Sequence, residues 1–104
     1  MDSYAVVVIG GGHNGLVCAA YLAKAGRKVL ALERRAIVGG AAVTEEFFPG
    51  FKFSACADGV GRLWPNVVRD LNLQASNLAL LHADPVLFAP QPDGSRLFLW
   101  RDAQ

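Results

Sequence analysis

Charge is scarce in this chain. Of its 104 residues only 18% are charged, with 10 basic and 9 acidic side chains and a formal net charge of +1, against about 25% charged in an average soluble domain. Without a basic run or excess, no field steers the chain toward nucleic acid or an anionic membrane. That leaves at most peripheral membrane contact. Cysteine is scarce too: Cys18 and Cys56 form neither a C-x-x-C redox pair nor a metal-ligand cluster. Each is expected as a small structural or incidental residue, compatible with the cytoplasm or another reducing space. No apolar run approaches the ~18 residues that span a bilayer, and Asp2 stands where a secretory signal would carry a basic region. Internal repeats and low-complexity tracts are absent as well.

Apolar residues, by contrast, make up 53% of the chain. At this length a domain buries roughly 60 to 70% of its unfolded surface, enough for one modest core, and so apolar a composition looks like an interior cut away from its covering. A complete doubly wound domain uses about five or six strands. Only one strand-helix-strand unit is legible here, so the chain is expected to be a truncated part of a longer protein.

That unit is residues 4–33. Ala5-Val6-Val7-Val8-Ile9 is apolar and mostly β-branched, as in a central parallel strand buried on both faces. A helix is expected from about Asn14 to just before Gly26, a residue placed as a left-handed cap. Gly15, Ala19, Leu22 and Gly26 fall at helical spacing on one face, and Lys24, Arg27 and Lys28 gather at the negative pole. Residues 28–33 return as a second strand ending in Glu33, through a right-handed crossover. A connector over residues 34–38 leads to the glycine pair Gly39-Gly40. Beyond it, extended pieces at 43–48 and 51–53 flank a type II turn at Pro49-Gly50. Residues 64–73 read as a helix with Pro65 in its first turn. Residues 86–89 and 96–100 flank the turn-rich link 90–95, which predicts a second hairpin.

The spacing Gly10-x-Gly12-x-x-Gly15 gives each glycine a separate task. Gly10 permits a tight exit from the first strand, Gly12 lets the backbone approach a pyrophosphate, and Gly15 allows close helix packing. Unpaired N–H groups at the helix start then face the anion. The extra glycine, Gly11, is expected only to loosen the turn. His13 and Asn14 sit where backbone N–H groups matter more than side chains. Glu33 follows Gly15 by 18 residues and Gly10 by 23, at a strand end where a carboxylate accepts hydrogen bonds from a ribose and repels a 2′-phosphate. These parts together predict an α/β dinucleotide-binding unit. Asp58 and His82 are the two catalytic candidates, with a hydrogen-bonded loop aspartate and a strand-end histidine as the simpler readings. Phe47, Phe48, Phe51 and Phe53 are expected to pack in a core rather than line a path for a hydrophobic substrate.

The stretch Val8-Ile9-Gly10-Gly11-Gly12-His13-Asn14-Gly15-Leu16, with Leu32-Glu33-Arg34-Arg35 and Val38-Gly39-Gly40-Ala41-Ala42-Val43-Thr44-Glu45-Glu46, resembles the N-terminus of the FAD-dependent oxidoreductases of the amine oxidase and phytoene desaturase superfamily. It is most similar to the phytoene dehydrogenase-related branch, which includes the pyridine nucleotide-disulfide oxidoreductase domain-containing protein 2 group. The resemblance implies FAD as cofactor, with the backbone of Gly39 and Gly40 lying along it and Arg34 or Arg35 near its adenosine end. It implies a partial Rossmann-like FAD-binding domain over residues 1–75, then a substrate domain beginning at 76–104. The implied reaction is hydride removal from, or addition to, a small hydrophobic substrate, isoprenoid or lipid in class. The chain departs from the pattern in two places. Many relatives carry arginine directly after the glycine pair, where this chain has Ala41, so that side chain makes no pyrophosphate contact. The redox cysteine pair of the branch's name is also missing, so disulfide chemistry is not supported.

Two other readings stay open. One is the NAD-binding Rossmann domain of a dehydrogenase, which does not need Gly39-Gly40 soon after the acid. The other is a truncated, non-catalytic cofactor-binding fragment that self-associates through exposed sheet edges. If Gly12 lies against the pyrophosphate, Gly12→Val places a side chain in the cofactor's position and abolishes cofactor retention, measured as cofactor content of the purified full-length variant.

Overall fold

In a computed structural model, residues 3–57, 59, 63–76 and 78–102 are described. The chain runs β1 (Val6–Ile9), α1 (His13–Lys24), β2 (Val29–Leu32), β3 (Thr44–Phe48), β4 (Phe51–Ser54), α2 (Pro65–Asp70), β5 (Leu87–Pro90) and β6 (Arg96–Leu99), with short 3₁₀ turns at Gly40–Ala42 and Leu73–Ser76. Strands β1 and β2 pair in parallel from Val6↔Val29 to Ile9↔Leu32. Parallel neighbours need a crossover connection, and α1 supplies it, packed on both strands. This is the expected strand-helix-strand unit.

The end of α1 follows from its sequence. Gly26 adopts φ +78°, its N–H donates to the Ala23 carbonyl at 2.9 Å, and the Arg27 N–H donates to the Leu22 carbonyl at 3.0 Å. These two bonds satisfy carbonyls the last turn would leave open, the Schellman arrangement. The helix begins at His13, one residue before its expected start.

Strands β3 and β4 form the first hairpin around Pro49-Gly50, with Gly50 at φ +83° as a type II turn requires. The pairing steps from Glu46↔Lys52 to Phe48↔Phe51, so Phe47 is the extra residue of a bulge. The second hairpin, β5 with β6, pairs Leu87↔Leu99 through Pro90↔Arg96. Its Phe88, Phe98 and Trp100 rings follow one another at centroid spacings of 5.1 and 5.7 Å.

Helix α2 is shorter than expected. It stops at Asp70 rather than Leu73 because Asn72 turns into the left-handed region at φ 50°, and a separate 3₁₀ turn follows. A polar clamp ties α2 to α1. The Tyr21 hydroxyl donates to Asp70 Oδ2 at 3.0 Å, and Lys24 Nζ donates to the Asp70 carbonyl. The Tyr21 hydroxyl bond and the Arg69 guanidinium hold the Asp70 carboxyl below its usual range.

The expected core is not built. Among the described residues the only buried hydrophobic side chain is Val43, 4% exposed. The accessible surface is 8974 Å², against about 5,700 Å² for a compact monomer of this mass. The radius of gyration of 18.7 Å likewise exceeds the ~13 Å of a compact chain this long. The reason is topological: the described strands form three separate two-stranded sheets, and none has a second layer over its open face. Strand β1, expected to be buried on both faces, has a neighbour on one edge only among the described residues and leaves Val7 52% and Ile9 87% exposed. Phe47, Phe48, Phe51 and Phe53 are exposed as well, not packed in a core. Both cysteines are free and exposed. No helix among the described residues is long and apolar enough to cross a membrane.

Candidate dinucleotide site

The site is assembled from three backbone segments that meet at the end of the β1–β2 pair. The first is the glycine turn. The Gly10 N–H extends the ladder to the Leu32 carbonyl at 2.8 Å, after which Gly10 leaves the strand at φ +105°, a conformation closed to most side chains. Helix α1 starts immediately behind Gly12, with no side-chain cap and no acidic residue in its first turn. Its positive pole is therefore not satisfied by the chain's own side chains. His13 and Asn14 occupy this first turn and are exposed.

Gly15 is where the helix touches the strand exit. A Cβ built there would lie 2.1 Å from the Gly10 carbonyl oxygen, an approach no side chain survives. Gly12 differs: it is extended, and a Cβ would meet only the Gly40 Cα at an ordinary 3.8 Å. Protein packing does not demand glycine at this position.

The second segment is the end of β2. Glu33 turns back on the glycine turn, where Oε2 accepts the Gly11 N–H at 2.7 Å, while Oε1 accepts the Arg35 N–H at 2.9 Å. The N–H groups of Arg35, Gly11 and Arg34, with the nearby Arg35 charge, hold this carboxyl below its usual range. Gly11 is thus no spacer. It is buried, and a Cβ there would lie 3.1 Å from Glu33 Cβ and Oε2 and 3.2 Å from Val38 Cγ1. The expectation that Gly11 merely loosens the turn is corrected: it is the point at which the acid grips the turn. Three glycines in a row, where the spacing needs two, were the available signal.

The third segment is the second glycine pair. The Gly39 N–H donates to the Gly11 carbonyl at 2.7 Å, Gly12 and Gly39 form an isolated parallel bridge, and a Cβ on Gly40 would lie 2.9 Å from the Gly12 Cα. Val43 packs beneath Gly39, and the Ala55 N–H donates to its carbonyl at 2.9 Å. The one buried hydrophobic residue among those described therefore joins the first hairpin to the site.

Gly10, Gly12, Gly15, Glu33, Gly39, Gly40 and the Arg35 backbone are brought together. Arg34 places its backbone by Glu33 and its side chain in solvent. The Arg35 guanidinium reaches away to Glu45 on β3, with Nη2 2.6 Å from Oε1, a partner that sequence spacing did not announce. His82 lies exposed in an irregular stretch before β5, not at a strand end and apart from these segments, and Asp58 falls outside the described residues.

A parallel β-α-β unit with a glycine turn, an uncapped helix start and an acid at the second strand's end defines a dinucleotide-binding protein of the Rossmann class. Comparison with known proteins agrees. The NAD(P)-binding Rossmann-like domain family matches residues 8–71, and the chain belongs to it. It is 51% identical over 87 residues to mouse pyridine nucleotide-disulfide oxidoreductase domain-containing protein 2, covering 84% of this chain and 15% of the relative. It is 44% identical over 100 residues to a limonene dehydrogenase subunit of Castellaniella defragrans, covering 95% of this chain and 18% of the relative. A 39-residue stretch is 59% identical to all-trans-retinol 13,14-reductase of Macaca fascicularis, covering 38% of this chain and 6% of the relative. The chain thus spans less than a fifth of the length of these relatives. No solved structure matches it. The family match defines a domain for a flavin or nicotinamide dinucleotide, and the relatives carry the names of an oxidoreductase-domain protein, a dehydrogenase subunit and a reductase.

Two outcomes follow for the apoprotein. Gly15→Ala forces the helix off the strand exit at about the 1–3 kcal/mol typical of overpacking, whereas Gly12→Ala leaves stability nearly unchanged; urea unfolding of both variants checks the contrast. The Glu33 pKa lies below the usual 4.5 of a glutamate, so its contribution is complete above that pH and is lost as pH falls through the depressed folded value. The stability difference between wild type and Glu33→Gln, followed by thermal melting, is therefore full at neutral pH and shrinks in acid below about pH 4.5.

Proposed function

We propose that this chain forms the adenosine and pyrophosphate half of an FAD site. The parent would be a flavin-dependent oxidoreductase of dehydrogenase, desaturase or saturase type. The observation that carries FAD over NAD is the docking of Gly39-Gly40 onto the glycine turn, through the Gly39 N–H to Gly11 carbonyl bond of 2.7 Å. An NAD-only fingerprint does not need this second pair. The residues fit the group: Gly12 offers a Cβ-free surface, the start of α1 offers uncapped N–H groups, and each Glu33 oxygen keeps a lone pair for a ribose hydroxyl.

In this reading Gly10, Gly12 and Gly15 shape the cradle, and the N–H groups of His13 and Asn14 face the pyrophosphate. Glu33 orients the ribose, Gly39 and Gly40 close one side, and Arg34 and Arg35 border the adenosine end. When bound, the flavin supplies the two-electron chemistry, and the protein supplies position, electronics and exclusion of water. A small hydrophobic substrate of isoprenoid or lipid class is supported by the names of two relatives, which refer to limonene and retinol. We place the domain division near residue 75, just past the last residue matched by the family.

As partners we propose no nucleic acid and at most peripheral membrane contact. The exposed faces of β1 and the hairpins are proposed to be covered within the longer polypeptide or, failing that, by self-association through the sheet edges. A cytoplasmic location is supported by two cysteines that are free and exposed. The deciding measurement is the visible absorption of the purified full-length protein, with chromatography of any released cofactor. We expect flavin bands and FAD. A colourless, folded protein that binds NAD but no flavin would overturn the FAD assignment.

A further inference from the structure

The acid of a dinucleotide fingerprint favours a free ribose 2′-hydroxyl, while an arginine beside it accommodates a 2′-phosphate. This chain carries both signals: Glu33 is followed at once by Arg34 and Arg35. The sequence reading of Glu33 already disfavours a 2′-phosphate, and the structure shows how the second arginine is disposed. The Arg35 N–H is on Glu33 Oε1 at 2.9 Å, which anchors its backbone beside the ribose-binding acid, but its guanidinium is turned to β3, where Nη2 meets Glu45 Oε1 at 2.6 Å. Both partners of this pair are partly exposed, at 40% and 32%.

We propose that Glu45 is a second specificity-determining residue of the dinucleotide site: by pairing with Arg35 it withholds the guanidinium from a ribose 2′-phosphate and so favours cofactors with a free 2′-hydroxyl. The inference rests on the reading that this site holds the adenosine half of a dinucleotide. Glu45 is effective because it occupies the guanidinium with a charge-assisted bond. The neighbouring Glu46 provides an internal control. It lies one residue along β3 but uses Oε1 to accept the Gly50 N–H at 2.8 Å, closing the hairpin turn instead. An exposed ion pair is individually weak, so the effect is a shift of preference rather than a reversal.

The test uses the full-length protein freed of bound cofactor, with AMP and adenosine 2′,5′-bisphosphate as probes in calorimetric titrations at low salt. We expect wild type to bind AMP more tightly and Glu45→Gln to narrow the ratio of dissociation constants by about 1.5- to fivefold, the range of a weak ion pair. Glu46→Gln should leave the ratio unchanged, and Arg35→Ala added to Glu45→Gln should restore it. Melting curves verify that each variant is folded. An unchanged ratio in Glu45→Gln, an equal effect of Glu46→Gln, or persistence of the gain without Arg35 would each overturn the role of Glu45 while leaving the dinucleotide site intact. Failure of wild type to bind either probe would overturn both readings.

Discussion

The site depends on one carboxylate being spent on the backbone. Glu33 grips Gly11 with one oxygen and Arg35 with the other, so the end of β2, the glycine turn after β1 and the connector beyond become a single unit. A carboxylate accepting backbone N–H groups is held charged; in the proposed FAD reading that charge also receives a ribose hydroxyl, so that packing and recognition share a group. Without this bond, β1 and β2 would still pair and Gly39 would still hold Gly11, but the turn would lose its direct tie to the acid.

Around that bond the glycines divide into those that packing or a left-handed backbone requires and one, Gly12, that neither does. Gly15 and Gly11 are each crowded by neighbouring atoms, and Gly40 sits against Gly12. Gly12 has room for a Cβ. A glycine that its own protein does not need is the position left for a ligand to explain, and it lies at the start of the uncapped helix. The buried Val43, beneath Gly39, links this cradle to the first hairpin, so the buried residues Gly11 and Val43 both lie at the site.

Elsewhere the apolar surface faces outward. The phenylalanines of the first hairpin and the stacked aromatics of the second are exposed, because a hairpin buries a face only against another layer. The relatives that share this segment are more than five times its length. Within the chain the glycine site is organised by hydrogen bonds among three short backbone segments rather than by apolar burial, which explains how it forms without a large core.

The amino-acid sequence by itself determined the local features: the β1-α1-β2 order, the Gly26 cap, the Pro49-Gly50 turn and the second hairpin. Each is set by chain conformations and short-range hydrogen bonds that particular residues favour or forbid. Gly10, Gly15 and Glu33 were legible for the same reason, since a fixed spacing along one strand-helix-strand unit fixes their place in space. Tertiary structure alone decided that Gly11 is gripped by Glu33, that Gly39 and Gly40 dock on the turn, that Arg35 leaves the acid for Glu45, and that the aromatic residues stay exposed. Those outcomes depend on which distant atoms meet. Where the described strands form three separate two-stranded sheets, hydrophobic pattern says that a side chain should be buried, but only the presence of a facing layer decides whether it is.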